Sequence, residues 1–200
     1  MGSEFFVYLR LGFEHISDLK GYDHILFITA LCAVYRWDQW RQLLGLVTAF
    51  TVGHSVTLAL ATLNLISIND ALIEFLIPAT IFITSILNIV EARPADRFVL
   101  ESKRMWGVKY ALALGFGLIH GMGFSNFLRA VLGAEESIVL PLFAFNVGLE
   151  AGQLCILLAV LLLSLMMIRL VGMQRYAWIL VLSGATAGIA LTMMVERAVG

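Results

Sequence analysis

Apolar and polar positions alternate along this chain in blocks of membrane-crossing length. Apolar runs lie near residues 22–36, 41–65, 71–91, 107–129, 137–167 and 176–196. As helices, most of them cover the roughly 30 Å of a bilayer's hydrocarbon; the first does so only by extending back towards His15. Short polar connections separate them: "RWDQWR", "SIND", "ARPADRFVLESKR", "GAEES" and "RLVGMQRY". The pattern predicts an all-α polytopic bundle of six transmembrane helices forming a single integral membrane domain over residues 1–200. Ahead of the first run, Phe6, Leu9, Phe13 and Ile16 recur at helical spacing, with Arg10 and Glu14 on another face. That segment is too short to span, so it predicts an interfacial helix on the outer surface. Gly21 then breaks the chain.

Composition agrees with the pattern. The chain is 60% hydrophobic and 14% charged, with mean hydropathy +0.93, against about 45–50% and about 25% in soluble domains. A net charge of −1 supplies no basic footprint for nucleic acid. The partners expected are the lipid bilayer and a metal ion, and a homo-oligomer is compatible with the pattern. Cys32 and Cys155 both fall inside apolar runs and read as small packing residues rather than a disulfide. The start, "MGSEFFVYLRLGFEHI", lacks a basic leader and a small-residue cleavage site, so no cleavable signal is expected.

Lys and Arg are unevenly shared between the connections. Arg36, Arg41, Arg93, Arg97, Lys103, Arg104, Lys109, Arg169 and Arg175 fall on one side; Arg10, Lys20, Arg129 and Arg197 fall on the other. The positive-inside rule places the first group in the cytoplasm and both termini outside, on the periplasmic side of the cell membrane.

The chemistry lies within the apolar runs. His15, His24, His54 and His120 all sit in or beside them, and ionisable residues at such depth mark function by default. Counted from the outer helix ends at ~1.5 Å per residue, His54, His120 and Glu150 fall roughly 14–20 Å deep, and His24 lies nearer the surface. Asn146, Glu150 and Gln153 share one helix face. Imidazole and carboxylate ligands converging at one level suit a divalent transition metal, Ni or Zn foremost. The expected ligands are His24, His54, His120, Glu150, Asp23 and His15, with Asp23 alternatively orienting an imidazole. Asn146, Gln153 and Ser55 would stand around them. Thr80, Thr84, Asn88 and Glu91 form a stripe down the third run, an exit path for an ion or simply hydroxyls bonding their own helix. Ala113, Gly117, Gly121 and Ser125 make a small-residue packing face beside His120. Phe50-xxx-His54 also recurs as Phe116-xxx-His120, an internal echo between the second and fourth runs.

The motifs "GFEHISDLKGYDHILF", "FTVGHSVTLALA", "FGLIHGMGF" and "FNVGLEAGQ" resemble those of the HupE/UreJ family of small membrane proteins, especially its second branch. The resemblance spans residues 12–153. It implies nickel permease or metal-accessory activity, with His15, Asp23, His24 and His120 as the matching site residues. Two features depart from the nickel-linked branch: a seven-residue spacer between His15 and Asp23, and no Glu shortly after His120. The leading expectation is therefore a divalent-cation permease or metal-delivery protein. The rival is an intramembrane zinc-type hydrolase or transferase, with three histidines holding an activated water.

Overall fold

The computed structural model describes residues 2–66, 69–92, 103–132 and 138–199. The connections at 93–102 and 133–137, with Arg93 and Arg97, lie outside the described residues, as do the side chains of Lys103, Arg104 and Arg129. The described residues form α1 (Gly2–Ser17), α2 (Asp23–Cys32), a 3₁₀ turn (Trp37–Gln39), α3 (Trp40–Thr62), α4 (Asp70–Glu91), α5 (Lys103–Gly123), α6 (Ser125–Leu132), α7 (Val139–Arg169) and α8 (Arg175–Val199). Among the described residues, four helical stretches are long and apolar enough to cross a bilayer: Trp37–Thr62, Asp70–Glu91, Val139–Arg169 and Arg175–Val199.

The outward faces carry large apolar side chains that a soluble protein would bury, and several polar side chains lie within a mainly apolar core. Val90, Phe143, Leu158, Leu163 and Val181 project outward, whereas His54, Ser85, Gln153 and Ser183 are fully buried. Helices with apolar exteriors are what hydrocarbon solvent selects, because helices alone satisfy their own backbones there. This is a membrane protein.

Glycine notches set how the helices pair. On α3 and α5, a Cβ at Gly53 would meet the Leu114 carbonyl; at Gly117, that of Phe50; at Gly121, that of His54. Residue numbers rise together along both helices, so the two run parallel with backbones in contact, as small-residue faces permit. The echo Phe50-xxx-His54 and Phe116-xxx-His120 thereby becomes a lateral pairing. α1 and α7 pair in the same parallel way, through Gly12 against Phe145, Gly148 against Leu9 and Gly152 against Ile16. α1 docks lengthwise on α7, an arrangement that does not confirm the expected interfacial helix.

α4 and α8 run antiparallel. Ser85 meets Thr186 at 2.8 Å, and Arg197 reaches Glu74 at the other end. Pro78 explains that second contact. It sits inside α4, has no N–H, and so leaves the carbonyl four residues earlier, that of Glu74, without its helical donor. Arg197 Nη1 donates to this oxygen at 2.6 Å. At the start of α4, Asn69 Oδ1 accepts from the Ala71 and Leu72 amides, satisfying donors that the first turn exposes.

Two expected spans are interrupted. α2 has only ten residues, about 15 Å of helix, and is separated from α1 by residues 18–22. The run 107–129 breaks after Gly123, with Ser125 Oγ bonding the Met122 carbonyl at 2.9 Å. Both interruptions border the same place. Cys32 is buried and Cys155 exposed, both as free thiols.

Candidate metal centre

The two helix breaks and the α3–α5 notch bring four imidazoles together. His15 ends α1, His24 opens α2, His54 lies on α3 and His120 near the end of α5. Ring centroids are 4.7 Å apart for His15 and His24, 5.9 Å for His15 and His54, 5.9 Å for His24 and His54, and 5.1 Å for His24 and His120. His24, His54 and His120 are all at most 5% exposed.

Their nitrogens are unequally served. His24 Nδ1 lies 2.9 Å from Asp23 Oδ1, so the carboxylate assigns the proton to Nδ1 and leaves a lone pair on Nε2. His120 Nε2 lies 3.0 Å from Thr80 Oγ1. That hydroxyl donates its one proton to the Ile77 carbonyl at 2.7 Å and must therefore accept from Nε2–H, which leaves the lone pair of His120 on Nδ1. These two free nitrogens, together with His15 Nε2 and both nitrogens of His54, are buried without a protein partner. A buried polar atom in that condition costs roughly 1–3 kcal/mol, and here five such atoms belong to four neighbouring rings.

Asp23 is itself held in place. Its Oδ2 lies 3.9 Å from Arg197 Nη2, so the proline-freed carbonyl on α4, the α8 guanidinium, the carboxylate and His24 form one chain of contacts. Phenyl rings close the cluster: Phe124, set by the α5–α6 break, stacks over His15 at 3.8 Å, and Phe50 lies 5.1 Å from His120. Among the described residues, no group of three or more His, Cys, Asp or Glu side chains stands ready-made at metal-holding geometry. The rings are neighbours at ring-contact distance.

The HupE / UreJ protein family matches residues 1–197. The chain belongs to that family. No curated protein matches it, and no solved structure does.

Other expected site residues sit elsewhere. Glu150 Oε1 accepts from Thr48 Oγ1 at 3.0 Å, and Thr48 precedes His54 by six positions, about 9 Å along α3. Gln153 Oε1 accepts from Thr51 at 2.7 Å, and Asn146 Oδ1 from Ser55 at 2.6 Å. The polar face of α7 thus ties α3 to α7, and the structure does not bring Glu150 among the rings. Asn88 Nδ2 donates to the Ala30 carbonyl at 2.7 Å, an oxygen near the end of α2 that also accepts from the Ala33 amide, and so ties α4 to α2. Thr84 bonds Thr80 within its own helix, and Glu91 pairs with Lys109 at 3.4 Å.

Sequence reading missed the phenyl walls and Arg197. Pro78 was the available signal for the latter: a mid-helix proline frees a carbonyl that some donor must then serve.

Proposed function

We propose that the chain is a divalent transition-metal permease or metal-delivery protein, with His15, His24, His54 and His120 as the intramembrane binding site for its cargo. The observation that carries this reading is the set of buried, unpartnered ring nitrogens on neighbouring imidazoles from four helix segments. A transition-metal ion can serve several imidazole lone pairs at once. Two imidazoles sharing one tetrahedral ion at ~2.0–2.1 Å have centroids roughly 5 Å apart, and four of the ring pairs stand at 4.7–5.9 Å. Asp23 and Thr80 present the lone pairs of His24 and His120 inward by holding the opposite nitrogens, the usual arrangement around ligating imidazoles. The HupE/UreJ family's association with nickel and cobalt transport supports the same reading.

In the arrangement we propose, six spans cross the membrane, with α1 and α2 together forming the discontinuous first one and α5 the fourth. Both termini lie outside by the distribution of Lys and Arg. Broken helices around a buried ion site are a recurring transporter device. In the zinc-hydrolase alternative Ser55 or Ser125 would position substrate; the Ser55 hydroxyl is engaged with Thr51 and Asn146, and that of Ser125 with the Met122 carbonyl.

Uptake of Ni²⁺ or Co²⁺ into proteoliposomes tests the proposal. The expected result is saturable flux that vanishes in His54→Ala and His120→Ala; tight metal retention with no flux would overturn the permease assignment.

A further inference from the structure

Beyond the imidazoles, a cavity of about 260 Å³ opens between α2, α3, α4 and α5. Thr84, Asn88 and Glu91 line one wall of it, and Leu31, Leu46 and Phe116 line others. The cavity is many times larger than the ~30 Å³ share of one water molecule; most of its lining is apolar, and its polar groups include Thr84, Asn88 and the Glu91–Lys109 pair towards the mouth. Its outer end is marked by the Glu91–Lys109 pair, on the side of the 3₁₀ turn and of Arg175, which reaches the Val34 carbonyl.

Between this cavity and the imidazoles stands an aromatic partition. Phe27 lines the cavity, yet its ring is 5.4 Å from that of His120. It stacks on Phe50 at 4.8 Å and meets Phe116 edge-on at 6.1 Å. Phe27 and Phe50 are each 1% exposed. No hydrated ion passes such a packed set of rings without displacing it. Phe27 lies one turn after His24 on α2, so the ring that would bind and the ring that blocks share a helix of ten residues with no side-chain N-cap bond.

We infer that the cavity is a water-filled vestibule of the ion path and that Phe27, against Phe50 and Phe116, is the plug closing it from the imidazole centre. This rests on the permease reading for the identity of what passes, but the vestibule and plug can be tested without metal. Cys32→Ala with Cys155→Ala provides a thiol-free background for two reporters, Thr84→Cys in the vestibule and Thr80→Cys beside His120. A cationic, membrane-impermeant methanethiosulfonate is applied to sealed vesicles on the face bearing Arg36 and Arg175. The expected result is that Thr84→Cys reacts, and that Thr80→Cys reacts only when Phe27→Ala is also present. Phe116→Ala opens the same partition from α5 and serves where Phe27→Ala does not fold. An unreactive Thr84→Cys would remove the vestibule. A Thr80→Cys whose reactivity is the same with the partition intact and opened would remove the plug. Failure of wild-type protein to bind Ni²⁺, with the labelling pattern intact, would overturn the cargo assignment alone.

Discussion

Two polar regions lie inside this apolar bundle, and their hydrogen-bond accounting differs. Between α3 and α7, the side chains of Thr48, Thr51 and Ser55 meet Glu150, Gln153 and Asn146 in three direct hydrogen bonds. Between α1, α2, α3 and α5, four imidazoles share one neighbourhood with no bond from ring to ring, and five of their nitrogens have no protein partner. The first arrangement is adhesive, since each hydroxyl is matched to an amide or carboxylate of the adjoining helix, with one amide nitrogen, Gln153 Nε2, left without a partner. The second makes sense only with something bound. Single unserved atoms occur elsewhere, at Gln153, Thr62, Trp178 and Ser183; what marks the site is five of them on four neighbouring rings.

The largest expected effect tests that distinction at the cluster. His54→Ala or His120→Ala should reduce Ni²⁺ affinity in equilibrium dialysis by more than the ~10–100-fold that outer partners of metal ligands are worth. Asp23→Asn should fall within that ~10–100-fold range, because it changes which His24 nitrogen carries the proton while leaving the ring in place. Gly121→Ala should cost about 1–3 kcal/mol of stability through overpacking, because its new Cβ would fall against the His54 carbonyl; thermal melts in detergent measure this. Gln153→Ala and Asn146→Ala should cost only about 0.6 kcal/mol each, the mean for interhelical side-chain bonds in membranes, and should leave metal affinity unchanged. A large affinity loss from those two would erase the contrast between the regions. Binding should also weaken on acidification, since protons compete with the metal for imidazole lone pairs.

Much of this was legible in the chain. Apolar runs gave the long helices to within a few residues, because hydrocarbon imposes both length and composition. The Phe-xxx-His echo was legible only as a hint of an internal repeat, and the structure turns it into a lateral pairing of α3 and α5 through Gly117 and Gly121. Glu150 was assigned by depth alone, and depth does not specify azimuth. One helix face placed it with Asn146 and Gln153, but which neighbour that face meets depends on tertiary packing. α1 was harder still: its apolar stripe fits a bilayer surface and a helix groove equally, and the outcome turned on Gly12, Gly148 and Gly152 allowing backbone contact. The break after Gly123 had no local signature stronger than a glycine, and it is what places Phe124 over His15.

X-ray absorption on Ni²⁺- or Co²⁺-loaded protein tests the central claim most directly. The account predicts one ion per chain with a nitrogen shell near ~2.0–2.1 Å, as for imidazole ligation, and the multiple-scattering signature of three or four imidazole rings, lost on combined removal of His54 and His120. An oxygen-only shell, or an unchanged spectrum in that double variant, would contradict it.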